Sequence, residues 1–133
     1  MIKKTKGSFS SRKYAGSFAS RKYAGIHLIV DFWNGKKIEE PEKIKKILFE
    51  AARRAKNTPL EITIHRFLPH GMTGVILLAE SHIAIHAWPE INYLAIDIFT
   101  CGERTMPYLA LKYLKKAFQP KKIGIRELKR GKI

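Results

Sequence analysis

The segment Glu80-Ser81-His82-Ile83-Ala84-Ile85-His86-Ala87 sets a carboxyl, a hydroxyl and two imidazoles into a stretch that otherwise reads as buried strand. Polar groups in such a setting cost roughly 2–7 kcal/mol each when left unpaired, so these four must be paired or put to use. Asp97 and Cys101 stand close behind, within and just after the alternating run 93–99. Residue types alone leave several chemistries open. His82 and His86 share a strand face and, with Cys101, could hold a metal, although a catalytic zinc asks for a third firm ligand and a supporting shell. Ser81, His86 and Asp97 have the types of a hydrolase triad, but the G-x-S-x-G elbow that would expose the serine is missing. The G-x-G-x-x-G, P-loop and H-E-x-x-H signatures are absent from the sequence as well.

The elements that must position these groups follow from periodicity. Residues 26–33 alternate, with Ile26, Leu28, Val30 and Phe32 on one face and His27 and Asp31 on the other. Asn34-Gly35 is a turn signal. Residues 41–56 predict an amphipathic helix with Ile44, Ile47, Leu48, Ala51, Ala52 and Ala55 on one stripe, ended by Asn57-Thr58-Pro59. Strands are expected over 60–67 and 93–99, and 82–86 reads as the continuation of a third strand, 74–79. A second helix over 105–118 would bury Met106, Leu109, Ala110, Tyr113, Leu114 and Ala117, and a last strand covers 122–128. The order β-α-β-β-β-α-β predicts an α+β fold, a two-layer sandwich with a largely antiparallel sheet and two helices packed on one face. The other face would need a cover, which invites dimerisation.

With 133 residues, 25–133 can form one domain with a real core. Residues 1–24 read as a basic, flexible leader, because Gly7-Ser-Phe-Ser-Ser-Arg-Lys-Tyr-Ala15 repeats as Gly16-Ser-Phe-Ala-Ser-Arg-Lys-Tyr-Ala24. No apolar run is long enough to span a membrane, and the basic start lacks the apolar region of a secretory signal. The lone cysteine, Cys101, excludes an internal disulfide framework and suits a cytoplasmic location. Lys and Arg number 26 against 11 Asp and Glu, an excess that can serve nucleic acid. The bases gather at the two ends, however, and 60–102 carries only Arg66. A basic nucleic-acid-binding module would also need exposed aromatics in an RNP-like motif, so no nucleic-acid partner is expected.

Four separated motifs resemble one family in register. They are Gly25-Ile-His-Leu-Ile-Val-Asp-Phe32, His65-Arg-Phe-Leu-Pro-His-Gly-Met-Thr-Gly74, Leu78-Ala-Glu-Ser-His-Ile-Ala-Ile-His-Ala-Trp-Pro-Glu90 and Asp97-Ile-Phe-Thr-Cys-Gly102. The resemblance is to the small, pyruvoyl-dependent prokaryotic S-adenosylmethionine decarboxylase proenzymes. It implies a chain that cuts itself between Glu80 and Ser81 into a 1–80 β chain and an 81–133 α chain. The Ser81 hydroxyl would attack the Glu80 carbonyl, turning amide into ester. A base would then remove the Ser81 α-proton and expel the Glu80 carboxylate, and the dehydroalanine left behind would hydrolyse to a pyruvoyl group and ammonia. Such a weak nucleophile needs orientation and an oxyanion donor; Gly71 and Gly74 are expected to let the backbone approach closely.

The same resemblance distributes the roles. His86 matches the proton acceptor of processing and Cys101 the proton donor of catalysis, while Thr73 stands where the family commonly has a serine that supports processing. Phe67 matches an aromatic that stacks on the adenine from across a dimer interface, Glu90 the acid that holds the ribose hydroxyls, and Trp88 offers a further aromatic face for a sulfonium. The pyruvoyl group made from Ser81 would form a Schiff base with S-adenosylmethionine, with no metal and no pyridoxal phosphate, and supply the aminopropyl donor for spermidine. A homodimer of cleaved protomers is implied. A pyruvoyl arginine decarboxylase on the same scaffold is the near alternative; it would leave Phe67, Trp88 and Glu90 without an adenosine to bind. One geometric conflict stands out. Strict alternation puts Ser81 and His86 on opposite strand faces, so a bulge or bend is expected between them.

Overall fold

The computed structural model describes residues 22–102 and 104–132; the leader repeat lies outside them except for its last three residues. Among the described residues the chain runs β1 (Tyr23–Trp33), α1 (Pro41–Arg54), β2 (Pro59–Arg66), β3 (Met72–Leu78), β4 (Ser81–Trp88), β5 (Tyr93–Cys101), α2 (Pro107–Phe118) and β6 (Lys122–Lys132). The strands form one sheet in the order β2-β3-β4-β5-β1-β6, with every neighbouring pair antiparallel. Both helices pack on one face, as expected for an α+β two-layer sandwich.

Local chemistry explains the helices. Pro41 and Pro107 open them where a missing N–H costs nothing. Glu42 in the first turn of α1 and Arg53 and Arg54 in its last complement the helix dipole. Ile44, Leu48, Ala51 and Ala52 fall on its buried stripe and share one core with Leu28, Val30 and Phe32 of β1, Ile76 of β3, Ile83 and Ile85 of β4 and Ile96 and Ile98 of β5. Full burial of each such aliphatic or aromatic side chain contributes roughly 1.5–3 kcal/mol, so the sheet is held rigid from the helix side. In α2 the buried stripe is rotated from the expected one. Leu111 and Phe118 join Ala110 and Leu114 inside, while Met106 is half exposed.

The expected third strand is two strands. The chain reverses at Ala79-Glu80, and β4 returns alongside β3 with Leu78 opposite Ser81 and Thr73 opposite His86. Two-residue hairpins ordinarily advertise themselves with Asn-Gly or Gly; Ala-Glu does not. Here the turn is held from outside. The Ala79 N–H donates to the Thr58 carbonyl (3.0 Å), and the Glu80 carboxyl accepts from the Thr58 N–H (2.8 Å) and hydroxyl (3.0 Å).

Candidate active site

The hairpin puts the Glu80–Ser81 bond at one end of the central strands, against the end of β5. The Glu80 carbonyl oxygen accepts two hydrogen bonds from one residue, from the Cys101 N–H at 2.9 Å and from the Cys101 thiol at 3.0 Å. Two donors converging on a carbonyl oxygen is the arrangement that stabilises a developing oxyanion. Ser81 itself sits at φ +147, outside the ordinary range of a side-chain-bearing residue, a conformation that costs on the order of 1–3 kcal/mol and persists only where its surroundings enforce it. The Glu80 side chain is 4 % exposed and clamped by Thr58. Gly25 of β1 lies beside this end, where a Cβ would stand 2.6 Å from the Thr100 carbonyl oxygen and 3.2 Å from the Cys101 Cβ. Only glycine lets β1 run this close to Cys101.

The sheet face away from the helices carries the polar and aromatic groups. His82 lies one residue from Ser81, with its Nδ1 3.4 Å from the Ser81 Oγ and its ring edge-on to Phe99. Burial holds its imidazole below the ordinary histidine value; Asp97 opposes that shift, and His27 and Arg130 reinforce it. Asp97 is paired with His27 (2.9 Å), not with His86. His86 is hydrogen-bonded through Nδ1 to the Thr73 hydroxyl at 3.1 Å. Beyond it, Trp88 stacks on Tyr93, which stacks in turn on Trp33, at centroid distances of 5.5 and 5.6 Å. The Tyr93 hydroxyl donates to Asp31, and that bond, with burial, pushes its pKa up to about 12. Phe67 projects at this same end, half exposed, into a cleft shared with Arg66, Pro89, Tyr93, Leu94 and Phe118; Glu90 is exposed nearby in the short turn Pro89–Ile91.

Two clusters therefore exist where one site was expected. Glu80, Ser81 and Cys101 come together at one end of β4, joined by His82. Thr73, His86, Trp88, Phe67 and Glu90 gather toward the other. β4 keeps continuous register with both neighbours, so the expected bulge is absent. Ser81 and His86 are about 16 Å apart along the strand and on opposite faces, at roughly 3.3 Å per residue. Gly71 and Gly74 also lie away from the hairpin; Gly74 serves core packing, where a Cβ would come 2.7 Å from Ile64. Neither the Ser81–His86–Asp97 triad nor the His82–His86–Cys101 metal set is assembled, and among the described residues no three His, Cys, Asp or Glu side chains group to hold a metal. Thr58, the residue that clamps Glu80, gave no signal in the sequence, being 22 positions away with only a neighbouring proline to mark it.

The model of one family, S-adenosylmethionine decarboxylase, matches residues 26–131. The S-adenosylmethionine decarboxylase proenzyme of Acidithiobacillus ferrooxidans is 42% identical over 108 residues, which cover 80% of this chain and 81% of that one. Those of Thermodesulfovibrio yellowstonii and Methanococcus maripaludis are 41% and 39% identical over 109 residues, covering 80% of this chain and 81% and 89% of theirs. The crystal structure of the adenosylmethionine decarboxylase from Aquifex aeolicus superposes with a TM-score of 0.79 at 36% identity, over 85% of this chain and 95% of that one. Among the described residues no helix is long and apolar enough to cross a membrane.

Proposed function

The chain belongs to the S-adenosylmethionine decarboxylase family, and from that premise we propose that it is a cytoplasmic proenzyme which cleaves itself at Glu80–Ser81 and then decarboxylates S-adenosylmethionine, yielding the aminopropyl donor for spermidine. The observation that carries the reading is the Glu80 carbonyl, held by both donors of Cys101 beside a Ser81 in a strained backbone conformation. Attack by the Ser81 hydroxyl turns that oxygen into an oxyanion, and the two donors already point at it. Release of the amide relieves the constraint on Ser81. The relatives' names specify S-adenosylmethionine, which favours it over arginine.

The residues fit a pyruvoyl group made from Ser81. The new terminus would lie where the Cys101 thiol now reaches the Glu80 carbonyl, so the thiol stands ready to return a proton to the substrate carbon after CO2 leaves. When formed, the group supplies an electron sink for the decarboxylation. The Cys101 thiol lies 3.0 Å from the Glu80 carbonyl oxygen, a contact that suits the protonated thiol such a role needs.

A second copy would resolve the separation of His86 from Ser81. The uncovered sheet face offers a place for it, and a two-fold axis across that face would set the Thr73–His86–Phe67–Glu90 end of one chain against the Ser81–Cys101 end of the other. His86 would then take the Ser81 α-proton from across the interface, Thr73 fixing its ring, while Phe67, Trp88 and Glu90 receive the adenosine. Intact mass under denaturing conditions tests the reading. Two chains meeting at Glu80/Ser81, the second blocked to Edman degradation, are expected; one uncleaved chain after prolonged warm incubation would overturn it.

A further inference from the structure

On the self-cleavage reading, we infer that His82 is the base that activates Ser81, so that the first step of processing is served within one chain and only the second draws on His86. The geometry separates the two imidazoles. His82 Nδ1 lies 3.4 Å from the nucleophilic Ser81 Oγ, whereas His86 stands five residues along the same continuous strand and is bonded to Thr73. The His82 ring is fixed by its edge-on contact with Phe99, whose own ring also meets His27 and the Arg130 guanidinium. The groups around it are Asp97 and Phe99 from β5, His27 from β1, Arg130 from β6 and the uncharged Leu77 directly opposite on β3. Burial, helped by His27 and Arg130 against the opposing Asp97, lowers the His82 pKa and favours the neutral imidazole, and a neutral ring with its proton on Nε2 presents Nδ1 as an acceptor to the serine hydroxyl.

The step balances without any co-reactant. The Ser81 oxygen forms a bond to the Glu80 carbonyl carbon as its proton passes to His82 Nδ1, and the oxyanion rests on the two donors of Cys101. Collapse breaks the bond between that carbon and the Ser81 nitrogen, and the imidazolium hands the proton to the departing amine. The ester then waits for the second base to remove the α-proton.

The experiment follows the ester, which hydroxylamine splits and an amide resists. Purified full-length His82→Ala, His82→Gln, His86→Ala and wild-type chains are sampled over time, with and without hydroxylamine, by intact mass. A positioned general base contributes about 10²–10⁴-fold. His82→Ala and His82→Gln should therefore form the hydroxylamine-labile bond at least about 100-fold more slowly than His86→Ala, which accumulates it. Added imidazole should restore ester formation to His82→Ala, and the fall in the His86→Ala rate with decreasing pH should have its midpoint below 6.5, the ordinary histidine value, since burial lowers the His82 pKa. A labile bond appearing in both His82 variants at the His86→Ala rate would overturn the inference and leave self-cleavage standing. So would a slowed His82→Ala that imidazole does not rescue and whose melting temperature has collapsed. A wild-type chain that never cleaves would overturn the self-cleavage reading, and this inference with it.

Discussion

The two ends of β4 hold different things. At the Ser81 end the reactive part is backbone: a carbonyl gripped by Cys101, a carboxyl clamped by Thr58, and a residue forced to positive φ. At the Trp88 end the parts that stand out are side chains, with Trp88 stacked on Tyr93, which also lines a cleft, and an imidazole hydrogen-bonded to a threonine hydroxyl. On the proposed function, the first end breaks a bond and the second receives the flat adenosine of the substrate. A strand of eight residues in continuous register keeps the two ends apart. On the proposed function, one chain carries two halves that complete each other between copies.

The largest effect should come from removing the nucleophile. Ser81→Ala has no hydroxyl to attack Glu80, and intact mass should show a single uncleaved chain with no decarboxylase activity. Ser81→Gly should be uncleaved too but more stable than Ser81→Ala by about 1–3 kcal/mol, because glycine accepts positive φ without strain. A melting temperature for the glycine variant no higher than that of the alanine one would show that the bond-breaking end is not strained, and the contrast between the ends would lose its first term.

Mixing chains probes the halves directly. His86→Ala alone should stall at the ester, and Ser81→Ala alone is inert. Co-expressed, the Ser81-bearing chain can borrow His86 from its companion, so cleaved 81–133 fragment should reappear from the His86→Ala chain only. If co-expression leaves that chain stalled, the two ends of β4 do not meet across an interface and the two-half arrangement is wrong.

How far the residues announced this is uneven. The alternation of 26–33 and the stripe Ile44, Leu48, Ala51, Ala52 are set by burial on one side, and burial has a period that a sequence displays. On α2 the periodicity misplaces Met106, which is apolar enough to pass for core, and omits Leu111 and Phe118, which occupy it, while Tyr113 and Ala117 pack against its edge. The hairpin at Ala79-Glu80 was invisible for a physical reason. Its turn is imposed by hydrogen bonds from Thr58 and Cys101, which no local propensity records. The conflict over Ser81 and His86 was legible, since a period of two is enough to see it. Its resolution was not, because a straight strand and a bulged one have the same sequence.

A smaller loss is expected at the clamp on the bond-breaking end. Thr58→Val keeps the size of the side chain but removes the hydroxyl that donates to Glu80, leaving a buried carboxyl with the Thr58 N–H alone. Losing a donor to a buried acceptor costs about 1–3 kcal/mol. Denaturant melts of an uncleavable Ser81→Ala background should fall by that amount when Thr58→Val is added, and cleavage in the Ser81 chain should slow. Unchanged cleavage with reduced stability would mean the clamp holds the turn but not the reacting carbonyl.

The smallest expected effect is at Thr73, and it sharpens the ligand-receiving end. A β-branched residue has restricted rotamers, which would slow processing if the permitted one pointed the hydroxyl away. The hydroxyl instead lies 3.1 Å from His86 Nδ1, directly across the β3–β4 pair, so the restriction holds the oxygen where it is wanted. Thr73→Ser should therefore change the rate of conversion from ester to pyruvoyl chain by no more than about threefold, well within a single hydrogen bond's worth. Thr73→Val, equal in shape but without the oxygen, should slow it roughly 2- to 10-fold for the lost bond of about 0.5–1.5 kcal/mol. Acceleration beyond tenfold in the serine variant, timed by intact mass, would show that the threonine methyl obstructs His86, and that the His86 end is less well ordered than its hydrogen bond implies.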